Sequence, residues 1–189
     1  MDLIPKYIEF TKRWEGGLSR DAADSASANP CPTPFNGKTG WHTNVGITYA
    51  VWKSFYGSKN DSRFFKMDSG DWFNVFKTLY WNAVRGDEFK SQNIAIFVTG
   101  MAWGSGKKTA VLALQRAINN CGLTVDRDGI LGNKTMTAAN SIEPRQLFDA
   151  LTTERERFFR AIGRPGSRNE KFLRGWLRRL EDYIRSFRP

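Results

Sequence analysis

The 189-residue chain carries one histidine, His42, and two cysteines, Cys31 and Cys121. A single imidazole excludes metal sites built on several histidines. Two thiols are too few for a disulfide framework or a four-thiolate zinc site, so two free cysteines and no cofactor or metal are expected. No run of about 18 apolar residues occurs, so no membrane-spanning helix is expected. The opening residues MDLIPKYIEF lack a basic stretch followed by an apolar one. No signal peptide is therefore evident, and the expectation is synthesis in the cytoplasm, with any action outside depending on release by another agent. GSGKKT (104–109) lacks the earlier glycine of a phosphate loop, where Met101 stands, and has Lys108 where Ser or Thr must follow the lysine. DRDG (126–129) opens like a calcium loop but has Leu131 where the sharp turn needs glycine. No G-x-S-x-G elbow accompanies His42, which leaves Ser-His-Asp hydrolysis unsupported.

What is present is a basic, helix-forming sequence. Hydrophobic residues make up 40% and charged residues 25%, as in ordinary globular proteins. Ile4, Tyr7, Ile8, Thr11 and Trp14 follow helical spacing up to Gly16-Gly17. A stretch rich in Ser, Asn, Pro and Gly follows from Ser19 to Asn44, a length expected of a functional or a disordered loop. Thr48 is placed to cap a short helix, and Asp68 or Ser69 another that runs through Trp72, Phe76 and Tyr80 to near Gly86. NIAIFVTGMAW (93–103) is apolar almost all round, which fits a buried helix or a buried strand; its helical neighbours favour a helix. Further helices are expected over 107–120, after Asn133, from Pro144, and from about Asn169. No hairpin signal or internal repeat is evident. The expected class is all-α, with at most a minor β element in the 18–47 loop.

Net charge is +10, and Leu151–Pro189 holds eleven Lys and Arg against five Asp and Glu. Such a skew suits a polyanionic partner, whether nucleic acid, anionic lipid or acidic cell wall. The final helix pairs its arginines with a full apolar stripe, which suits a docked helix better than one free to enter a nucleic-acid groove. Nucleic acid is therefore not the expected partner.

Glu15 ends the first helix. The negative end of the helix dipole and the neighbouring Phe10 and Trp14 both favour the protonated acid there, the form a general acid requires. An ordinary surface glutamate at a helix end would look similar. EGG (15–17), Asp24 nine residues after Glu15, and TNVGIT (43–48) resemble glycoside hydrolase family 108, lysozyme-like N-acetylmuramidases found in phage and bacterial genomes. LYWNAVRGDEF (79–89) is similar to a later segment of that family. LALQRAI (112–118) with VDRDGILGNKTMTA (125–138) resembles the predicted peptidoglycan-binding region that usually follows.

The resemblance implies a lysozyme-like catalytic region over 1–91 and a helical peptidoglycan-binding region over 92–189. It implies cleavage between N-acetylmuramic acid and N-acetylglucosamine in peptidoglycan glycan strands, in the cell wall. A non-catalytic wall-binding or secretion-accessory protein on the same fold is the alternative. Glu15 would be the general acid. Asp24 would stabilise the oxocarbenium-like transition state or activate water, with Asp21 as its competitor. Thr43, or Thr48, would hold the water, although Thr48 also suits a helix cap. Trp41, next to Thr43 in the loop, is the first candidate to stack on sugar, with Trp103, Tyr49 and His42 as further substrate-binding candidates. The basic C-terminal helix would hold the anionic wall. The chain departs from the family in one respect: nineteen positions separate Asp24 from Thr43, where the family has only a few. The extra segment, SASANPCPTPFNGKTGWH, carries Cys31 and His42.

Overall fold

The computed structural model describes residues 2–57 and 61–189. The chain forms two compact units, Ile4–Lys77 and Thr78–Pro189, the latter including the residues ahead of Ile4. Helices dominate both, and the strands of the described residues form one small sheet.

In the first unit, α1 (Ile4–Glu15) buries Tyr7, Phe10 and Thr11. Gly16, at φ +67°, ends it in the left-handed conformation that glycine adopts without a steric cost. The chain then enters β1 (Leu18–Ser19), makes a long excursion, and returns as β2 (Thr43–Asn44) and β3 (Ile47–Thr48). The three strands are antiparallel in the order β1-β2-β3, with Ser19 opposite Thr43 and Thr43 opposite Thr48. Thr48 caps α2 (Tyr49–Tyr56), its hydroxyl accepting from the Val51 N–H at 3.3 Å. α3 (Asp61–Phe65) and α4 (Ser69–Phe76) follow, and Asp68 caps α4 through the Asp71 N–H. Trp52, Phe64, Trp72 and Phe76 have no exposed surface and form the centre of this core. Asp71, almost fully buried, is paired by Arg63, whose Nε lies 3.0 Å from Oδ2 and Nη2 2.5 Å from Oδ1.

The uninterrupted helix expected as far as Gly86 does not form. α4 stops at Phe76 and gives way to a π turn over Lys77–Trp81 and 3-10 turns over Asn82–Val84 and Gly86–Glu88. Two features mark the end of this helical segment. Arg85 is left-handed (φ +54°), and Gly86 lies so close to the Trp81 indole that a Cβ there would be 2.3 Å from the ring. The indole N–H donates to Asp87 at 2.9 Å, which fixes the ring over the glycine.

The second unit is built around α5 (Gln92–Ser105), in which every residue from Ile94 to Ala102 is buried. α6 (Lys107–Asn120) and α8 (Pro144–Ile162) pack on it, α7 (Asn133–Ser141) lies against α6, and α9 (Glu170–Phe187) returns along α8. Phe97, Phe148 and Tyr183 meet edge-on or stacked, with ring centres 5.1 to 6.0 Å apart. Arg155 lies over both Phe97 and Tyr183. Beyond that guanidinium the α8–α9 pair loses its cover. From Arg155 to Arg179 only Gly163 is buried, and Phe172 is 47% exposed. Along this part the stripe expected to be a core face is only partly buried. There Phe159, Trp176 and Phe172 stack on one another.

Glu154 of α8 is 1% exposed and accepts from Arg116 Nε at 2.7 Å, Asn120 Nδ2 at 3.1 Å and Arg157 Nη1 at 3.3 Å. This network joins α8 to α6. Arg116→Met would leave the carboxylate without its shortest partner and is expected to destabilise the protein by about 3 kcal/mol. Glu154→Gln, which keeps an acceptor for Arg116, should cost less than half as much. Denaturant unfolding of the two variants checks the order.

Candidate active site

Glu15 sits where α1 gives way to the sheet, and the β2–β3 turn closes over it. Val45 and Gly46 make this two-residue turn, with φ of +47° and +78°. Positive φ at both central residues matches the right-handed twist of flanking strands. A Cβ at Gly46 would lie 2.8 Å from Glu15 Oε2 and 2.9 Å from its Cδ and Cγ. Only a residue without a side chain lets the turn approach the carboxyl so closely. Val45 is the less expected member, since a β-branched residue is strained at positive φ. Its backbone is held on both sides: its N–H donates to the Gly17 carbonyl at 3.4 Å, and its carbonyl accepts from the Trp72 indole at 3.1 Å. Next to it, the buried Asn44 donates to the Phe64 carbonyl at 2.6 Å.

A second group forms at the start of β2. His42 has no exposed surface. Its N–H donates to Ser19, its carbonyl accepts from Tyr49, and its ring touches two neighbours: Nε2 lies 3.1 Å from the Asp21 carbonyl and Nδ1 2.9 Å from Thr43 Oγ1. The Asp21 carbonyl also accepts from the Asp24 N–H at 3.0 Å. Asp24 in turn caps the 3-10 turn Ser25–Ala28, its Oδ1 accepting from Ala26 at 2.9 Å. Hydrogen bonds thus link Asp21, Asp24, His42 and Thr43. Both aspartates are exposed, and Asp21 Oδ1 accepts from the Ala23 N–H at 2.9 Å.

The excursion between β1 and β2 is ordered by contacts that its composition conceals. Asn36-Gly37, with φ of +50° and +69°, turns the chain so that Phe35 bridges Lys38. Asn-Gly is the strongest short hairpin signal, so the absence of hairpins expected from the sequence is corrected at two places, 36–37 and 45–46. The Trp41 indole N–H donates to the Lys38 carbonyl at 3.1 Å, and Arg20 lies over the Trp41 ring. Trp41 keeps part of its surface open. Phe35 stacks on Phe65 at 4.7 Å. Asp61 accepts from the Tyr49 hydroxyl at 2.5 Å and from Thr33 at 3.4 Å, tying the excursion to α3. Burial, and then the Asp61 charge, raise the Tyr49 hydroxyl well above its ordinary pKa. Burial also raises the thiol of Cys31, which is free and buried.

Two substrate-binding candidates are thereby corrected. Tyr49 is 3% exposed, its ring packed on Phe64, and it offers no face to a sugar. His42 is wholly enclosed. Trp103 belongs to the second unit, half-buried, its ring 4.8 Å from Tyr80. Sequence reasoning missed Val45, Trp72 and Asp61, which hold the turn and the excursion in place. Among the described residues no group of three side chains is arranged to hold a metal ion, and no helix is long and apolar enough to cross a membrane.

A model for a predicted peptidoglycan domain matches residues 109–181. In fold, the chain is similar to SagA of Brucella abortus, with a TM-score of 0.71 and 23% identity, over 96% of this chain and 92% of that one. No curated protein matches it in sequence. The model for glycosyl hydrolase 108 matches residues 8–106, a span that contains Glu15, both sheet turns and the whole excursion. That match covers more than half of the sequence, and the chain accordingly belongs to the glycosyl hydrolase 108 family and is a glycoside hydrolase acting on peptidoglycan.

Proposed function

We propose that the protein is an N-acetylmuramidase that cleaves between N-acetylmuramic acid and N-acetylglucosamine, with Glu15 as the general acid. The observation that carries this reading is the close seat of the Glu15 carboxyl against the Val45-Gly46 turn, on the sheet that also presents Thr43. Glu15 gives its proton to the departing glucosamine oxygen as the bond to the muramic-acid anomeric carbon breaks. A water held by Thr43 attacks that carbon and passes a proton to Asp24. Trp41, open on part of its surface and beside the excursion, stacks on a sugar ring. Residues 1–91 carry the chemistry, and residues 92–189 engage the wall.

The uncovered half of the α8–α9 pair is the part of the second unit best suited to that attachment. Nine Lys and Arg face two Glu between Arg155 and Arg179, beside the partly exposed stack of Phe159, Trp176 and Phe172. The protein acts in the cell wall.

Glu15→Gln keeps the shape of the side chain and removes the acid. It is expected to lower release of muramic-acid reducing ends from purified peptidoglycan by roughly 100- to 10,000-fold with the thermal midpoint unchanged. Undiminished release would remove Glu15 from the mechanism. Asp24→Asn should lose activity comparably, and normal turnover by Asp24→Asn with loss in Asp21→Asn would move the second carboxylate to Asp21.

Gly46→Ala places a methyl group against Glu15 and forces a side chain into positive φ. Activity is expected to fall by at least about tenfold, since small displacements of reacting groups are costly. Gly17→Ala, where a Cβ meets nothing within 4 Å, serves as the control.

Binding to purified sacculi should weaken as salt rises from about 0.05 to 0.5 M, where screening becomes short-ranged. Changing Arg164, Arg168, Arg174 and Arg178 to Ser should remove most of that binding while leaving turnover of soluble glycan oligomers unaltered. A sedimentation assay with sacculi separates the two effects.

A further inference from the structure

The sole imidazole of the chain is enclosed inside a polar excursion, 2.9 Å from a hydroxyl on which the proposed mechanism depends. We propose that His42 is a positioning residue that sets the polarity of the Thr43 hydroxyl, so that Thr43 accepts a hydrogen from the attacking water instead of donating one to it. This rests on the reading of Thr43 as the residue that holds that water.

The argument follows from donor and acceptor chemistry. A carbonyl oxygen only accepts, so the contact between His42 Nε2 and the Asp21 carbonyl requires the proton on Nε2. In the neutral ring Nδ1 is then an acceptor. Thr43 has a single O–H, and at 2.9 Å from Nδ1 it donates there. The lone pairs of Oγ1 are left as its capacity toward other groups.

That polarity matters for a nucleophilic water. A water that donates one hydrogen to Thr43 Oγ1 and the other to a carboxylate keeps a lone pair free to attack the anomeric carbon. If the hydroxyl donated to the water instead, it would occupy the lone pair that must form the new bond. On attack, the water oxygen bonds to carbon, the bond to the leaving oxygen breaks, and that oxygen takes the Glu15 proton. The water's proton goes to Asp24, and both carboxyl groups re-equilibrate with solvent. His42 gains and loses no proton in this sequence. The same ring grips the Asp21 carbonyl, to which the Asp24 N–H is bonded, so one side chain sets the hydroxyl and anchors the turn that carries the carboxylate.

Two substitutions divide these functions. In His42→Asn the amide oxygen takes the place of Nδ1 and still accepts from Thr43, but the contact with Asp21 is lost. In His42→Gln the amide nitrogen takes the place of Nε2 and still donates to Asp21, but the acceptor for Thr43 is gone. Turnover of soluble glycan oligomers is expected to fall by about 100-fold in kcat for His42→Gln. KM and the thermal midpoint should stay near wild type. His42→Asn should retain kcat within a few-fold of wild type, with a lower thermal midpoint.

The same pair is then measured beside Thr43→Val. If Thr43→Val is itself as fast as wild type, the reading of Thr43 fails and takes the inference with it. If Thr43→Val is slow, adding His42→Gln should slow it no further, because the two act through one hydroxyl. Independent, multiplicative losses would overturn the role given to His42. So would a His42→Gln enzyme as fast as wild type, or a His42→Asn enzyme as slow as His42→Gln.

Discussion

The contact on which the first unit depends is the one between the Trp72 indole and the Val45 carbonyl. Val45 stands in a conformation that its branched side chain disfavours, and the turn it shares with Gly46 has no reason of its own to stay there. Trp72, wholly buried and stacked on Phe76, supplies that reason from the centre of the core. With the turn fixed, Gly46 meets the Glu15 carboxyl. The two strands it joins then present Thr43 between Ser19 and Thr48. The path runs from an aromatic core residue, through a strained turn, to the carboxyl proposed to do the chemistry. Strain of this kind persists where the surroundings over-determine it.

The second unit is organised differently. Its central helix is enclosed from Ile94 to Ala102, and one buried carboxylate, Glu154, is satisfied from three sides. Past Arg155 the α8–α9 pair keeps its apolar stripe and its arginines but is only partly buried. A stripe of identical character thus serves as core at one end and as partly open surface at the other. The difference arises solely from which elements reach it.

That contrast marks what the sequence could express. Helices were legible because their apolar positions recur at the spacing of a helix. Caps at Thr48 and Asp68 and the first-turn Pro144 sharpened several of their starts. The small sheet was legible only as a minor element within 18–47, since strands of two residues carry no period. The turn at Asn36-Gly37 was legible and overlooked, while that at Val45-Gly46 was disguised by a valine where Asn or Asp is the usual signal. The burial of His42 and Tyr49 was not legible. Both lie near a stretch rich in Ser, Pro and Gly that looks solvent-exposed, and only Asp61 and the Phe35–Phe65 stack, distant in sequence, fold it inward. The change from α to π geometry after Phe76 also lay beyond periodicity, since apolar spacing marks a helix without marking its type.

The approach of Gly46 to Glu15 also bears on how this sequence can drift. Positions 15 and 46 share a volume that holds one side chain. A larger residue at 46 is compatible only with a shorter or displaced side chain at 15, and the positive φ of position 46 disfavours any side chain there even without the acid. The bare backbone at one position is thus the room in which the carboxyl at the other is seated.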